Sequence, residues 1–362
     1  MPKLSVNLVI KDGAKYLPYL LYSLKQQTYK DFEMIVVDNA STDDTMGIIR
    51  RELVTSGIPF REIINKENLG FSAGHNQAFK ETTAPYFVLL NADMFMMPDT
   101  LEKVVAFLDT HPDTSSVAPR LMRWDFSLTA AATSSGQDVL AAATSGFTNQ
   151  IDAIGIKLFR NRRAVELYTR ETWGENSDNQ MVRDLMGKTL TEAFGVSGAF
   201  AAYRRANITS VLLPGGNLFD PTYHSYKEDL DLAYRLRNAG HSAYIILDAV
   251  VYHDRTGAGP KEMSDVAAIL NKRRQSSFVR FHSYKNHLRT LYKNEYWQNA
   301  LIDFPYIFWY EFKKFVFILF TDPKVIFLGW KDIFQHCGYT CSARRAIVAS
   351  RKLYWKGIRR WF

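Results

Sequence analysis

The chain has 362 residues, of which 47% are hydrophobic and 14% aromatic, so it can fill one large core or two ordinary ones. A disordered chain and a small disulfide-stapled scaffold are therefore excluded. The formal net charge of +8 is spread unevenly: residues 1–254 carry 25 basic and 30 acidic side chains, whereas residues 255–362 carry 20 basic and 7 acidic ones. The positive charge belongs to the last third of the chain.

The first 120 residues alternate short apolar runs with helix-period segments, which is typical of βα units that build a parallel sheet. Strands are predicted at 4–10, 33–38, 61–64, 86–91 and 115–119, with helices at 14–27, 43–54, 73–82 and 99–110 between them. In an open parallel sheet, ligands bind outside the carboxyl ends of the strands. The polar residues that follow each apolar run are therefore the first candidates for a site.

The middle of the chain is less regular. Residues 120–190 are predicted to be an insertion or mobile lid, and we recognise no catalytic or binding motif in them. Beyond it we expect a strand at 195–204, a helix at 227–239, a strand at 241–247 and a basic helical segment at 264–294. The two cysteines, Cys337 and Cys341, exclude a disulfide framework and are too few for a zinc site. We expect them to be buried, with palmitoylated thiols as the alternative.

The C-terminal third combines apolar and basic side chains. Residues 304–330 mix clustered aromatic side chains with lysines, and the tail after Asp332 has seven basic residues and no acid. Charges interrupt the apolar stretch, so it lacks the roughly 18 uncharged residues of a spanning helix. This pattern favours a helix lying on an anionic membrane surface over a nucleic-acid patch, and a helical cap packed on the rest of the chain is the other alternative.

The N-terminal apolar run, residues 4–10, is too short for a secretion signal. Together with the absence of a disulfide framework, this predicts a cytoplasmic protein bound peripherally to the membrane.

Seven segments, in this order and spacing, resemble the family 2 glycosyltransferases with a GT-A fold, and among them the bacterial rhamnosyltransferases of cell-surface polysaccharide synthesis. They are SVNLVIKDG, EMIVVDNASTDDT, ENLGFSAGHNQAFK, YFVLLNADMFMMPDTL, GVSGAFAAYRR, KEDLDLAYRLRNAG and YHDRTGAG. The resemblance implies an α/β, Rossmann-like nucleotide-sugar-binding domain over residues 1–260, with a mostly parallel sheet and an acceptor-side loop at 120–190. A helical membrane-associated region would follow over residues 261–362.

The resemblance assigns six residues to the nucleotide, and one of them, Asn91, belongs to the metal motif described below. Asp38 occupies the position of an aspartate that binds the imide of a uracil or thymine base, which suits a carboxylate facing an N–H donor. Asn39, Asn68, Gly70 and Asn76 are expected beside it. From residue types alone, these positions fit turns and helix starts equally well.

Asn91-Ala92-Asp93 stands where the family has its DxD metal motif. An aspartate beside a pyrophosphate makes sense chiefly when a divalent cation bridges the two, so Asp93 is predicted to bind Mg²⁺ or Mn²⁺. His253 has the position of the family's second ligand. Because Asn91 replaces the first acid of the motif, we expect weaker metal retention without nucleotide. The alternatives are a strand-end loop aspartate and a packed histidine.

Glu228 and Asp229 open a predicted helix, where carboxylates are favoured by the helix dipole even without a function. Matched to the family's ED motif, Asp229 becomes the general base that removes the proton of the acceptor hydroxyl. Glu228 is expected to tune that base and is itself the weaker candidate for the role.

The resemblance thus predicts an inverting, metal-dependent transfer of a sugar, first L-rhamnose from dTDP-L-rhamnose, to a lipid-linked saccharide at the cytoplasmic face of the membrane. The alternative enzyme activity is transfer of glucose, galactose or galactofuranose from a UDP-sugar donor. A non-catalytic nucleotide- or membrane-binding module is the alternative from another class. No nucleic-acid partner is expected.

Overall fold

The computed structural model describes residues 2–255 and 275–362. In the first range its elements are β1 (Leu4–Ile10), α1 (Leu17–Lys25), β2 (Phe32–Asp38), α2 (Thr45–Ser56), β3 (Phe60–Ile64), α3 (Gly70–Glu81), β4 (Tyr86–Leu90), β5 (Met94–Met96), α4 (Thr100–Thr110), β6 (Thr114–Trp124), α5 (Phe126–Ser134), α6 (Val139–Ser145), β7 (Phe147–Ala153), β8 (Ile156–Leu158), β9 (Ala164–Glu166), α7 (Gln180–Arg183), β10 (Leu190–Glu192), β11 (Phe200–Arg204), α8 (Arg205–Thr209), α9 (Glu228–Asn238) and β12 (Ser242–His253).

The second range is helical, with α10 (Ser277–Asn294), α11 (Trp297–Ile302), α12 (Phe304–Thr321), α13 (Pro323–Gln335), α14 (Cys337–Ser350), α15 (Trp355–Ile358) and a 3-10 turn (Arg359–Trp361). Residues 264–274 of the predicted basic segment lie outside the described residues.

One mixed sheet carries most of the strands, in the order β10-β12-β6-β11-β4-β1-β2-β3. β1 runs parallel to β2 and β4, β2 to β3, and β12 to β6. β11 lies antiparallel between β4 and β6, so the fifth predicted strand does not join β4 directly. The predicted α/β fold with a mostly parallel sheet is confirmed, and the sheet is mixed, because β5 and β10 also pair antiparallel with β12 and β7 pairs antiparallel with β6.

The central strands are nearly continuous apolar runs because both faces of the sheet are covered. Val88 and Leu90 of β4 belong to the core under α1, α2 and α4, while Phe87 and Leu89 belong to the core under α3 and α9. In the register, Ile10 pairs with Asp38 and Leu8 pairs with Leu90. The carboxyl ends of β1, β2 and β4 therefore lie side by side.

The segment 120–190, expected to be an insertion or lid, contributes to the sheet. β6 continues to Trp124, and β7 folds back antiparallel onto it, pairing Met122 with Ile151. β6 also pairs with the C-terminal part of β12, so β7 and β12 are both neighbours of β6.

The C-terminal helices pack on the sheet domain. Ile358 is buried with Tyr234 of α9, and Arg360 donates to Glu192 of β10 (2.9 Å). Part of the basic tail therefore contacts the sheet domain of the same chain. No helix in the described part of the chain is both long and apolar enough to cross a membrane.

Cys337 and Cys341 are exposed, so the expected burial is wrong. The two thiols lie one helical turn apart on α14, whereas the buried side of that helix carries Thr340, Ala343 and Ile347.

A buried ion cluster joins the C-terminal helices to the β8–β9 turn. Asp303 is fully buried and accepts hydrogen bonds from Arg160 Nε (2.6 Å), Arg162 Nη1 (3.0 Å) and Arg359 Nη1 (3.1 Å). Arg162 is also fully buried and binds Glu295 (2.5 Å). Buried charges are costly unless they are paired, so each member depends on the others.

Asp303→Asn should lower the free energy of unfolding by about 3–5 kcal/mol, because it leaves buried guanidinium charge uncompensated. Glu62→Gln breaks the pair with the exposed Arg50 and is the control, with an expected loss under about 1 kcal/mol. Urea unfolding at pH 7, followed by tryptophan fluorescence, measures both. Equal losses in the two variants would contradict the role given to this cluster.

Candidate active site

The carboxyl ends of β1 and β2 bring the first predicted nucleotide-contacting residues together. Asp38, buried at the end of β2, accepts the N–H of Ser41 at Oδ1 (3.0 Å). Asn39 is also buried, and its N–H donates to the carbonyl of Ile10 (2.8 Å) while its amide donates to the carbonyl of Gly70 (3.2 Å). Asn39 thereby ties the end of β2 to the start of α3.

Asn68 and Gly70 form the turn that begins α3. Asn68 Oδ1 accepts the N–H of Gly70 (2.9 Å), and Gly70 has φ +84°. A Cβ at Gly70 would lie 2.6 Å from both Cγ and the carbonyl oxygen of His224, so only glycine fits here. Asn76, further along α3, exchanges two hydrogen bonds with the backbone of Phe219 (3.0 and 2.8 Å). Both ends of its amide are thus engaged within the protein.

Asp93 and His253 face each other. Asp93 Oδ1 lies 3.4 Å from His253 Nε2, and the carbonyl of Asp93 accepts the N–H of Asp254 (3.0 Å). These contacts arise because β5, just after Asp93, pairs antiparallel with the end of β12. The structure therefore joins two residues that are 160 positions apart and that the resemblance assigned to one metal.

Asp152 holds the other nitrogen of His253. The carboxylate is fully buried on β7, and its Oδ2 lies 2.8 Å from His253 Nδ1. Burial opposes ionisation of Asp152, but Arg255 and His253 outweigh it and lower the pKa of this carboxyl. A carboxylate behind a histidine is the usual support of a metal-binding imidazole.

His253 is held as an imidazolium between the two carboxylates. Burial alone would lower the pKa of His253, but the charge of Asp93 and the hydrogen bond to Asp152 raise it to about 10. The Asp93–His253 distance is compatible with two ligands of one ion, whose ligand distances are about 2.0–2.2 Å. A bound divalent cation would take the place of the proton on Nε2.

Among residues 2–255 and 275–362, no group of three or more His, Cys, Asp or Glu side chains is arranged to hold a metal ion. Asp93 and His253 offer two donors, and a cation such as Mg²⁺ commonly takes its remaining ligands from phosphate oxygens and water. Asn91, the neighbour at the place of the first acid, uses its backbone N–H to bind the carbonyl of Ala199 (3.0 Å).

A network of charged side chains supports this pair, and it was not predicted from the sequence. Arg255 donates to Glu166 Oε1 (2.9 Å) and Ser197 Oγ (3.0 Å), and its Nε lies 3.5 Å from Asp152 Oδ2. Asp152 could have been singled out as an acid inside the apolar stretch 151–156. Thr256 and Gly257, which belong to the same motif as Arg255, lie outside the described residues.

Asp229 is oriented by two backbone donors. Its Oδ2 accepts the N–H of Gly198 (3.2 Å) and its Oδ1 accepts the N–H of Leu230 (2.7 Å). Asp229 is partly exposed, so its remaining lone pairs can accept a hydrogen bond from a ligand. Three consecutive residues, 197–199, therefore each make a hydrogen bond to a residue of the site. Ser197 bonds to Arg255, Gly198 to Asp229 and Ala199 to Asn91.

Glu228 is the buried member of the acidic pair. It is 8% exposed, and its Oε2 has no hydrogen-bond partner among the described residues. Burial, with added repulsion from Asp229, raises the pKa of Glu228 to about 8. Near neutral pH, Glu228 therefore carries the proton of the pair. The charge of Asp229 thus adds to the raised pKa of Glu228, while the predicted effect of Glu228 on Asp229 stays a prediction.

Glu228→Gln should flatten the pH dependence of stability. Between about pH 4.5 and 8 the folded chain keeps a proton on Glu228 that the unfolded chain has released, so stability falls by about 1.4 kcal/mol per pH unit. Below this range both states are protonated, and above it both are ionised. From pH 5 to pH 8 the variant should gain about 4 kcal/mol relative to the wild type.

Urea unfolding at four pH values across this range measures the difference, with Glu62→Gln as the matched control that keeps the wild-type slope. Parallel curves for the wild type and Glu228→Gln would contradict the protonated state of Glu228.

Residues 5–134 match the family model described as Glycosyl transferase family 2. The putative glycosyltransferase EpsE of Bacillus subtilis (strain 168) is 32% identical over 124 residues, which are 34% of this chain and 45% of EpsE. The poly(ribitol-phosphate) beta-N-acetylglucosaminyltransferase TarS of Staphylococcus aureus (strain Mu50) is 28% identical over 113 residues, 31% of this chain and 20% of TarS. The chain thus spans less than half the length of these relatives.

A crystal structure of GalNAc-T7 with UDP, GalNAc and Mn²⁺ aligns with a TM-score of 0.54 and 13% identity, covering 81% of this chain and 48% of that one. At this identity the likeness concerns the fold alone. Residues 5–134 are therefore similar to family 2 glycosyltransferases, and the chain shares the fold of GalNAc-T7, in agreement with the fold that the resemblance implied. The rhamnosyltransferase-like subtype is not confirmed by these relatives.

Proposed function

We propose that this chain transfers a sugar from a nucleotide-sugar donor to an acceptor hydroxyl. The observation that carries the proposal is the link through residues 197–199, which joins the loop of Asn91 and Asp93 to Asp229. A leaving-group site and a base are thereby attached to one short backbone segment beside a family 2 glycosyltransferase domain.

In the proposed reaction Asp38 and Asn39, with the turn at Asn68 and Gly70, hold the nucleotide. Asp93 and His253 would hold Mg²⁺ or Mn²⁺, which when bound supplies positive charge for the pyrophosphate leaving group.

Asp229 accepts the proton of the attacking hydroxyl, and its orientation is maintained by the N–H groups of Gly198 and Leu230. Attack from the face opposite the leaving group gives inversion, as the resemblance implies.

For the donor we propose dTDP-L-rhamnose first, with a lipid-linked saccharide of cell-surface polysaccharide synthesis as the acceptor. Asp38 would pair with the imide that thymine and uracil share, so this contact accepts either base. A UDP-sugar is the second candidate, because the relative TarS is named an N-acetylglucosaminyltransferase and GalNAc-T7 was crystallised with UDP and GalNAc.

A donor screen tests the activity and the sugar together. Purified protein is incubated with dTDP-L-rhamnose and UDP-sugars, with membrane extract as acceptor, in Mg²⁺, Mn²⁺ or excess chelator. We expect transfer from one donor class, lost in chelator and restored by the cation. Full activity in chelator would refute the metal assignment, and no turnover with any donor would favour a non-catalytic module.

Asp229→Asn should lower the transfer rate by about 10²–10⁴-fold, because the amide cannot take up the proton. Its dissociation constant for the donor nucleotide should stay close to that of the wild type. Asp44→Asn, at an exposed acid before α2, is the matched control and should transfer normally. Near-normal transfer by Asp229→Asn with intact donor binding would rule out this residue as the base.

We also propose that the protein works at the cytoplasmic face of a membrane, bound through an aromatic surface on α11–α13. Its members are 40–83% exposed: Trp297, Leu301, Phe304, Phe308, Trp309, Phe312, Phe320, Phe327, Trp330 and Phe334. Exposed apolar groups at this density support binding to a lipid interface, where lysines such as Lys324 add attraction to anionic lipid. The last residues of the basic tail contact the sheet domain and are not assigned to the lipid.

The double variant Phe320→Ser/Phe327→Ser should weaken binding to vesicles of phosphatidylglycerol by more than about 10-fold, because each buried aromatic contributes about 1.5–3 kcal/mol. Both side chains are more than 70% exposed, so the fold should be unaffected. Val54→Ser, 72% exposed on α2, is the matched control. Co-sedimentation measures the affinity, and equal binding of the two variants would contradict this surface.

A further inference from the structure

The chain just before the acidic pair has a strained conformation. His224, Tyr226 and Lys227 all have left-handed backbone angles, with φ of +63°, +72° and +74°, although none of them is glycine. Such residues persist only where the surrounding structure holds them. We call residues 222–227 the base loop, because Glu228 and Asp229 follow it directly.

The base loop is held by one buried amide of the C-terminal region. Asn286 on α10 is fully buried, and the two hydrogens of its Nδ2 are shared among three carbonyls, those of Tyr223 (3.0 Å), Ser225 (2.9 Å) and Tyr226 (2.8 Å). Its Oδ1 accepts from Lys285 Nζ (3.0 Å), which fixes the orientation of the amide. Three carbonyls of a strained loop thus converge on one side chain.

Two neighbours on α10 add to this restraint. His282 Nδ1 donates to the carbonyl of Tyr223 (3.0 Å), and Lys285 Nζ donates to the carbonyl of Thr222 (2.9 Å). Burial lowers the pKa of His282 to about 4, so the ring is neutral and Nδ1 carries its proton toward the carbonyl. Helix α10 therefore presents a row of donors to the base loop.

The opposite side of the base loop contacts the predicted nucleotide site. The carbonyl of His224 accepts the N–H of Ser72 (3.0 Å), and His224 closes over Gly70. At its end, the carbonyl of Lys227 accepts the N–H of Asp231 (2.9 Å) and starts α9. A shift of the base loop would consequently move Asp229 relative to residues held by the sheet.

We propose that Asn286 is a positioning residue for Asp229, acting through the base loop. This inference rests on the proposed function and deepens it, because it assigns a part of the C-terminal region to the reaction. Asn286 lies outside residues 5–134, which match the family model, and outside the predicted domain 1–260. The C-terminal region then serves catalysis even when no membrane is present.

The test compares Asn286→Asp with Asn299→Asp in the full chain, using the donor that turns over in the screen. Asn299 is equally buried, but its amide binds the backbone of Trp355 and leaves the base loop untouched. Asn286→Asp keeps the shape and loses the donors. We expect its kcat to fall by about 10–100-fold, as for a misplaced catalytic group, with KM for the donor within about threefold of wild type.

A second readout needs no turnover. Hydrogen–deuterium exchange of the amides in residues 223–231 should be faster in Asn286→Asp than in Asn299→Asp. If the wild type transfers no sugar, the proposed function fails and this exchange still decides the placement of the loop. Equal kcat, or equal exchange, in the two variants would overturn the inference.

If Asn286→Asp does not fold, His282→Phe replaces it, because this change removes one donor and keeps a ring of similar shape. A lowered kcat at unchanged KM would support the positioning role of α10. An unchanged kcat would overturn it.

Discussion

Several carboxylates lie at one edge of the sheet and repel each other. The candidate site depends on how this repulsion is compensated. Asp93 and Asp152 share the imidazolium of His253, and Arg255 adds a second positive charge to Asp152. Asp229 has two backbone N–H donors, whereas its neighbour Glu228 is buried without a partner for Oε2 among the described residues. Burial in the fold therefore favours the protonated form of Glu228, whose pKa is raised to about 8.

This arrangement has a chemical consequence for the proposed reaction. A base near a pyrophosphate must stay separate from the acids that bind a cation, or the cation would bind the base instead. Asp93 lies next to β5, which pairs with the end of β12, while Asp229 lies at the start of α9 and accepts the N–H of Gly198. The two functions are thus carried by different elements that meet at one backbone segment.

The strands of the N-terminal half and the polar residues that follow them were predicted well from the sequence. β1, β2 and β4 follow from nearly continuous apolar runs, and the polar residues after them do lie at one edge. The insertion of β11 between β4 and β6 could not be foreseen, because strand order depends on pairing between distant segments. Asp152 was missed for the same reason: its partner His253 becomes a neighbour only when β7 folds back on β6.

The net positive charge of the C-terminal third does not show where its basic side chains lie. Its basic residues were expected to face lipid, yet Lys285, Arg289 and Lys293 of α10 are buried, and Lys293 binds Asp220 (2.7 Å) and Asp231 (3.1 Å). A residue count cannot tell a surface lysine from one that pairs with an acid far away in sequence. Much of the excess charge in α10 holds the helix against the domain that carries the site.

Helix α10 consequently stands between the two proposed functions of the chain. Successive residues of a helix point about 100° apart, so Asn286 faces the base loop while His287 faces α12, where Nε2 lies 2.9 Å from Glu311. Helix α12 also exposes Phe308, Trp309 and Phe312, which belong to the proposed lipid-binding surface. If those aromatics rest on lipid, α10 contacts both the helix at the membrane and the loop that precedes Asp229.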